Sequence, residues 1–338
     1  MHSATSPASR WYCSSPAADD PIRCSILPVP RWALITPSSC ASAAGYDQTN
    51  ADCWCGNRTG ASHQRDFNLR SQLRIVAAQS KSEHRVDSRF RHLYQVIAEG
   101  QRIAELTEGT FDITIGPLVN LWGFGPERRR DTPPSAAEIQ AAQARVGWRK
   151  LELQAQPAAV RKAQPDLYID LSALGEGYGV DQLTAWLDAQ GVNDYMVAVA
   201  GAIRTKGSNA KQRPWAIAIE EPVTEHRSVN RIVSLTNRAV STSGDYRNFF
   251  ERDGKRYSHE INPVTGAPVE RNLGSVTVIG DVGMVVDGWA TALMVLGEER
   301  GPALAEAQGL AAYFIVRDGE TLRTIATPAF QKMLDVEN

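Results

Sequence analysis

Residues 274–316 read GSVTVIGDVGMVVDGWATALMVLGEERGPALAEAQGLAAYFIV, and apolar runs of two kinds follow one another in them. Residues 274–279 and 311–316 are short runs rich in β-branched or aromatic side chains, which predict buried strands. Between them, residues 287–296 and 301–307 have the length and composition typical of helices. This part of the chain is therefore predicted to form a strand, two helical segments and a closing strand.

The same criteria predict further elements upstream. An apolar stripe at helical spacing predicts a helix over residues 93–106. Ser135 with Glu138 three residues later is a capping-box pattern, which begins a predicted helix over residues 135–146. The other predicted elements are a helix over residues 179–190 and strands over residues 195–199, 215–219, 228–235 and 239–242. Strands and helices mix without strict alternation, so the pattern favours an α+β fold over a doubly wound parallel sheet.

The composition is typical of a folded globular protein. The chain has 338 residues, of which 43% are hydrophobic and 22% charged, with a formal net charge of -2. At about 150 residues per domain this length corresponds to about two domains or one large one. The apolar content excludes wholesale disorder, and the small net charge gives no general attraction to nucleic acid or to an anionic membrane. We therefore expect no nucleic-acid partner.

The first 80 residues differ from the rest of the chain. They are rich in Ser, Ala, Pro, Cys and Arg and lack sustained periodicity. No basic stretch leads into an apolar run, so we expect no normal secretory signal. The odd number and uneven spacing of the cysteines predict neither a disulfide framework nor a zinc site. The five cysteines are Cys13, Cys24, Cys40, Cys53 and Cys55.

Two glycine-rich segments are candidates for ligand binding. Residues 107–126 (TEGTFDITIGPLVNLWGFGP) interleave aromatic rings with glycines, as in a loop that wraps a flat ligand or in a connector whose rings belong to the core. Residues 169–181 (IDLSALGEGYGVD) predict a strand that ends at Asp170 and a turn through three glycines into a helix. A phosphate-cradling turn and a simple strand-to-helix turn both fit this pattern. The rings of the first segment are Phe111, Trp122 and Phe124.

Two polar segments are candidates for catalysis. Residues 240–268 place a polar cluster at the end of an apolar strand, followed by His259, which suits either a general acid or base or a hydrogen-bonded structural residue. In residues 287–291 (DGWAT), helical spacing puts Asp287 and Thr291 on one face, where their oxygens suit Mg²⁺. The alternative is an Asp stabilised by the helix dipole beside a Thr that packs. The polar cluster is Ser241, Thr242, Ser243, Asp245 and Arg247.

These segments, in this order, resemble the ApbE family, the FAD:protein FMN transferases. The resemblance runs from about Val96 through the TPAF motif at residues 327–330. It implies an α+β fold of two lobes with mixed or antiparallel sheets flanked by helices, and FAD in the cleft between the lobes. The motifs that carry it are GPLVNLWGFGP (116–126), DLSALGEGYG (170–179), STSGDYRN (241–248) and SHEINPVTG (258–266).

The resemblance implies an enzyme that uses Mg²⁺ to transfer FMN from FAD to a Thr hydroxyl of an acceptor protein, with release of AMP. By family correspondence, His259 and Asp287 are catalytic, and Asp287, Thr291 and the backbone carbonyl of Ala173 bind the metal. The residues assigned to FAD are Thr110, Phe111, Asp112, Asp170, Glu176 and Ile261.

The resemblance also implies partners and a location. The acceptors are subunits of membrane redox pumps with an Asp-x-x-Thr-Ser/Thr motif, modified on the periplasmic side of the inner membrane, where family members are lipoproteins. Because the chain shows no credible signal peptide, this location rests on the resemblance. Two alternatives stay open: an FAD pyrophosphatase that gives FMN and AMP, and an inactive or truncated flavin-binding protein.

The departures from the family lead to a division of the chain. Residues 1–90 are unassigned and atypical for the family, with disorder and a shifted reading frame both open. The resemblance implies that residues 91–338 form a flavin transferase domain, and we predict that its N-terminal part is incomplete because the Met-Gly-Thr and Ser-Thr-Tyr segments usual in the family are missing. The smaller departures are Glu176 in place of Lys, Ala200 in place of Gly and Asn262 in place of Asp.

Overall fold

The computed structural model describes residues 88–126, 130, 132–223, 227–246, 248–252 and 254–335. The helices are α1 (Ser88–Leu106), α2 (Gly116–Leu121), α3 (Ala136–Gln143), α4 (Ser172–Ala189), α5 (Gly283–Ala307) and α6 (Pro328–Asp335). The strands are β1 (Leu151–Gln154), β2 (Ala159–Lys162), β3 (Tyr195–Val199), β4 (Ala202–Lys206), β5 (Trp215–Glu220), β6 (Val229–Leu235), β7 (Ala239–Gly244), β8 (Phe249–Arg252), β9 (Lys255–Ser258), β10 (Ile261–Asn262), β11 (Ala267–Pro268), β12 (Leu273–Gly280), β13 (Ala311–Asp318) and β14 (Thr321–Ala326).

A six-stranded sheet with the order β14-β13-β12-β7-β4-β3 forms the centre of the molecule. Every neighbouring pair in it is antiparallel. The pairs β1–β2, β5–β6, β8–β9 and β10–β11 are separate antiparallel hairpins or ribbons. The α+β prediction is therefore confirmed.

The central sheet is buried on both faces. Val276 and Val278 of β12 and Phe314 of β13 pack in one cluster with residues of α1, α4 and α5. The alternate residues Ile279 and Ile315 pack in a second cluster with the β5–β6 hairpin and α6. Side chains of a strand alternate between faces, so burial on both faces requires the continuous apolar runs seen in the sequence.

The predicted elements are confirmed with shifted ends, apart from one segment. The helices predicted over residues 287–296 and 301–307 lie within α5, which is interrupted at Gly297, where φ is 81° and ψ is -179°. The strand and glycine turn predicted over residues 169–181 are wrong. The backbone before α4 is not a strand, and α4 begins at Ser172, so the three glycines lie inside the helix.

A third apolar cluster lies apart from the central sheet. It joins α2 and α3 to β10 through Leu118, Ala142 and Ile261, and it includes Trp122 directly after α2. The Tyr257 ring of β9 stacks on Trp122 and on Phe250, with centroid separations of 5.7 and 5.0 Å. Because His259 directly follows β9, the packing of this cluster fixes the position of that histidine.

Two predictions about the larger architecture stay predictions: the FAD cleft between lobes and the domain boundary at residue 91. Within the ranges that the structure describes, no helix combines the length and apolar character needed to cross a membrane.

Candidate active site

Helices α4 and α5 approach each other closely at a pair of glycines. A Cβ atom on Gly177 would lie 2.1 Å from the carbonyl oxygen of Gly283, and one on Gly283 would lie 2.6 Å from that of Gly177. Asp181 of α4 strengthens the contact, because its carboxylate accepts the N–H groups of Gly283 and Met284 at 2.8 and 2.9 Å. Gly177 thus permits the close helix contact. Because the three glycines lie inside α4, neither of the two turns considered from the sequence, phosphate-cradling or simple strand-to-helix, is present.

Asp287 of α5 points into this contact and is buried, with 6% of its surface exposed. Its Oδ2 accepts the N–H of Gly177 at 2.9 Å, and its Oδ1 accepts the hydroxyl of Ser241 at 2.9 Å. Burial, and then the charge of Glu176, raise the pKa of Asp287 to about 7. The site therefore holds a carboxylate whose charge is costly without a cation.

Thr291 lies one helical turn beyond Asp287 and meets Ser243, with 3.2 Å between the two hydroxyl oxygens. Ser241 and Ser243 alternate on β7 and face α5, whereas Thr242 faces the other side and bonds the hydroxyl of Thr277 at 2.8 Å. Asp287 and Thr291 both contact serines of β7, so they lie on one face of α5, as the sequence predicts.

The donor set around Asp287 fits a small divalent cation. Mg²⁺ prefers carboxylate, hydroxyl and carbonyl oxygens and keeps positions for phosphate and water. In a regular helix the N–H of Gly177 bonds the carbonyl oxygen of Ala173, four residues earlier. Asp287 Oδ2 accepts the same N–H and so competes with that carbonyl for its hydrogen. In the described part of the chain, no group of three or more His, Cys, Asp or Glu side chains could hold a metal ion, so a cation here would depend on hydroxyl and carbonyl oxygens. The metal assignment stays a prediction.

Glu176 borders the same region from α4. Its Oε2 accepts the N–H of Gly201 at 2.8 Å, in the turn between β3 and β4. Burial raises the pKa of Glu176, while the Gly201 hydrogen bond and His259 act in the opposite direction. Glu176 is therefore close enough to Asp287 on one side and to His259 on the other for their charges to interact.

His259 follows β9 and is partly exposed, with 35% of its side-chain surface accessible. Its Nδ1 lies 3.1 Å from the carbonyl oxygen of Asn248, and its Nε2 lies 3.5 Å from Oε1 of the buried Glu260. The Phe124 ring meets the imidazole edge to face, with centroids 6.4 Å apart. Because the Asn248 carbonyl can only accept, it favours the tautomer with hydrogen on Nδ1 and leaves Nε2 as the basic nitrogen.

Two residues assigned to FAD in the two glycine-rich segments, Asp112 and Asp170, form hydrogen bonds with backbone groups of the protein itself. Asp112 accepts the N–H of Thr114 at 2.7 Å and that of Trp148 at 2.8 Å, and burial raises its pKa. Asp170 accepts the N–H of Ser172 at 3.0 Å and donates its own N–H to the Ile113 carbonyl at 2.7 Å. These bonds tie the two segments together.

The rings of the first segment are largely in the core. Phe111 packs in the cluster with α1, α4 and α5, and Trp122 packs in the third cluster with its indole N–H on the Gly266 carbonyl at 2.8 Å. Neither ring offers an open stacking face, so for them the core alternative holds. Thr110 and Ile261 are also buried, and their assignment to FAD stays a prediction.

The comparisons with known proteins agree on one family. The family model described as the ApbE family matches residues 62–314. The FAD:protein FMN transferase of Klebsiella pneumoniae is 40% identical over 299 residues, which cover 87% of this chain and 85% of the relative. That of Vibrio cholerae is 46% identical over 239 residues, 71% of each chain. This chain belongs to the ApbE family. The recognition made from the four motifs is thereby confirmed, and the relatives are enzymes.

Solved ApbE structures share the fold. The flavin transferase ApbE from Vibrio cholerae is 40% identical with a TM-score of 0.66, covering 82% of this chain and 92% of that one. The ApbE protein from Thermotoga maritima is 26% identical with a TM-score of 0.67, covering 90% and 93%. The ApbE match begins at residue 62, upstream of the predicted boundary at residue 91, and residues 62–87 lie outside the described ranges.

Two departures from the usual ApbE pattern lie in turns. Asn262 accepts the N–H groups of Val264 and Thr265 at 2.8 and 3.4 Å, as an aspartate would, and closes the predicted turn at residues 262–266. Ala200 has φ of 49°, in the left-handed region that favours glycine. That turn nevertheless presents the Gly201 N–H to Glu176.

Sequence reasoning found the polar cluster of β7 but assigned its members no role. The signal was present in the sequence as two serines at positions i and i+2 of a strand and two polar residues at positions i and i+4 of a helix. Asp245, directly after β7, forms a two-bond salt bridge with Arg317 of β13, at 2.7 and 2.9 Å. Arg247, the last member, lies outside the described residues. Glu260, beside His259, was also overlooked.

Proposed function

We propose that this ApbE chain transfers FMN from FAD to a threonine hydroxyl of an acceptor protein and releases AMP, with Mg²⁺ as cofactor. The observation that carries the proposal is the buried Asp287, which shares a helix face with Thr291 and interacts with the charge of Glu176, a residue that in turn interacts with His259. The relatives named FAD:protein FMN transferase support the flavin substrate.

In the proposed reaction, the threonine oxygen forms a bond to the phosphorus atom on the flavin side of the FAD pyrophosphate. The bond from that phosphorus to the bridging oxygen breaks, and AMP leaves with the oxygen. The hydroxyl proton passes to Nε2 of His259, because a threonine hydroxyl is a weak nucleophile until a base takes its proton. The contact of Nδ1 with Asn248 supports this choice of nitrogen.

Asp287, Thr291 and the carbonyl of Ala173 would hold the cation. When bound, Mg²⁺ would neutralise the negative charge of the pyrophosphate and the further negative charge that develops on the leaving AMP. The chain's own contribution is to keep the carboxylate oriented through Gly177 and Ser241. We propose that Thr110, Asp112, Asp170, Glu176 and Ile261 border the FAD site, and that Phe111, whose ring is in the core, does so through its backbone.

The test is incubation of the full chain with FAD, Mg²⁺ and a protein that contains the Asp-x-x-Thr-Ser/Thr motif. We expect the acceptor to gain the mass of an FMN group on its threonine while AMP accumulates in equal amount. An acceptor whose motif threonine is changed to valine is the matched control and should gain no mass. Release of free FMN and AMP with an unmodified acceptor would identify a pyrophosphatase instead.

The role of His259 has its own control. His259→Ala should lower the transfer rate by about 10²- to 10⁴-fold, the usual contribution of a positioned base, while Mg²⁺ binding persists. A variant that transfers FMN at the wild-type rate would show that another group takes the proton.

We also propose that the protein acts on the periplasmic side of the inner membrane, where the redox-pump subunits accepted by the family are modified. Cell fractionation with an antibody to the chain tests this location. Recovery solely with cytoplasmic proteins would contradict it.

A further inference from the structure

Two serines on β7 contact the two side chains that α5 contributes to the proposed cation site. Ser241 is buried and lies 2.9 Å from Oδ1 of Asp287. Ser243 lies 3.2 Å from the hydroxyl oxygen of Thr291. Each predicted side-chain ligand on α5 therefore has one serine partner on the neighbouring strand.

The spacing of the two elements makes this pairing regular. Residues i and i+2 of a strand lie about 6.6 Å apart on one face, and residues i and i+4 of a helix lie about 6 Å apart along its axis. Because these distances are similar, Ser241 can contact Asp287 while Ser243 contacts Thr291. Thr242, between the serines, faces away and bonds Thr277 on β12.

The direction of each hydrogen bond follows from chemistry. An ionised carboxylate can only accept, so Ser241 donates to Asp287. With Gly177 donating to Oδ2, each carboxylate oxygen then has one fixed donor, which holds the side-chain torsion. Lone pairs remain on both oxygens for a cation.

Thr291 needs the opposite arrangement. A hydroxyl that binds a cation presents a lone pair to it, so its hydrogen must point elsewhere. Ser243 is the acceptor in reach for that hydrogen. The serine thus decides which side of the Thr291 oxygen faces the site.

We propose that Ser241 and Ser243 are positioning residues that preset Asp287 and Thr291 as ligands for Mg²⁺. The inference rests on the proposed Mg²⁺ dependence and extends it to residues that do not themselves bind the ion. Partners of this kind change metal affinity by about 10- to 100-fold when removed.

The test is calorimetric titration of Mg²⁺ into the full chain, with FAD present and with FAD absent. Ser243→Ala and Ser241→Ala should each bind Mg²⁺ at least about tenfold more weakly than the wild type. Ser243→Thr keeps the hydroxyl and should stay within about threefold of the wild type, which separates loss of the hydrogen-bond acceptor from a general packing defect.

Thr242→Val is the matched control. It removes one hydroxyl hydrogen bond from the same strand on the opposite face, so it should lower thermal stability without changing Mg²⁺ affinity. Wild-type affinity in both serine-to-alanine variants would overturn the inference and leave the proposed function standing. A wild-type protein that binds no Mg²⁺ with or without FAD would overturn both.

Discussion

Asp287 combines three properties at a single residue: burial, two accepted hydrogen bonds and a pKa raised to about 7. The structural alternative, an aspartate that only stabilises a helix N-terminus, does not need such burial. Asp181 already accepts the N–H groups of Gly283 and Met284 at the start of α5. Asp287 is thus free for another role, and a cation would offset the cost of burying its charge.

The raised pKa of Asp287 predicts how the metal-free protein responds to pH. The folded state holds a proton on this carboxyl up to about pH 7, whereas an unfolded aspartate releases it near pH 4. Between these values the folded state binds more protons, so stability falls as pH rises. We expect the melting temperature of metal-free protein to decrease from pH 5 to pH 8, with a change on the order of a few kcal/mol in the free energy of unfolding.

Asp287→Asn is the comparison for that experiment. It removes the ionisable group, so this part of the pH dependence should disappear, and Mg²⁺-dependent transfer should be abolished while the protein stays folded. Retention of full transfer activity would contradict the metal assignment, and an unchanged pH dependence would contradict the raised pKa.

At the scale of elements, the close approach of α4 and α5 forms the site. Gly175 and Gly177 are two residues apart on α4 but have different surroundings. A Cβ on Gly177 would also lie 2.7 Å from the Cβ of Asp287, whereas a Cβ on Gly175 would meet nothing within 4 Å. The glycine pattern that suggested a phosphate loop therefore has one member that the packing requires.

This difference predicts opposite effects of the same substitution. Gly175→Ala should stabilise the protein by about 0.5–1 kcal/mol, because alanine is the better helix former and has space. Gly177→Ala should destabilise it by about 1–3 kcal/mol, because the helices must separate, and should weaken Mg²⁺ binding. Denaturant unfolding and calorimetry measure both effects, and equal behaviour of the two variants would contradict the packing role of Gly177.

The turn between β3 and β4 is strained at Ala200. Its φ of 49° costs an alanine on the order of 1 kcal/mol relative to glycine. Ala200→Gly should therefore leave stability unchanged or raise it by up to about 1 kcal/mol, the gain being reduced by the greater freedom of glycine in the unfolded chain. Thermal unfolding checks this. A clear loss of stability would mean that the alanine methyl makes a contact worth more than the strain.

At the scale of the whole molecule, the two faces of the central sheet pack against different parts of the chain. The face that includes Ser241 supports α5 and the site, while the face that includes Ile315 packs on the β5–β6 hairpin and α6. β7 lies between β12 and β4 in the sheet, and its serines are paired with β12, Ser241 opposite Val278 and Ser243 opposite Val276. We therefore expect substitutions on the face away from α5 to change the stability of the protein without changing the geometry of the proposed cation ligands.

Ile315→Ala tests this separation. The side chain is fully buried, so its truncation should cost about 2–5 kcal/mol of stability. Because it faces away from α5, we expect Mg²⁺ affinity of the folded variant to equal that of the wild type. A folded variant with weakened Mg²⁺ binding would show that the two faces are coupled.

The sequence by itself determined the features that depend on neighbouring residues. The apolar runs of β12 and β13, the capping box in which Ser135 and Glu138 exchange hydrogen bonds, and the turn at residues 262–266 follow from local periodicity and side-chain chemistry. The family also followed, because its four motifs are continuous in the chain. The shared face of Asp287 and Thr291 followed because helical spacing is regular.

Only the tertiary structure decided which groups meet across the fold. The contact of Ser241 with Asp287 joins residues 46 positions apart, and that of Gly177 with Asp287 joins residues 110 apart. No periodicity encodes these pairs, because they depend on how close two helices can approach and on the register between a strand and a helix. For the same reason the glycines of α4 indicated a turn in the sequence, whereas in the folded chain they lie in a helix and Gly177 makes a helix contact.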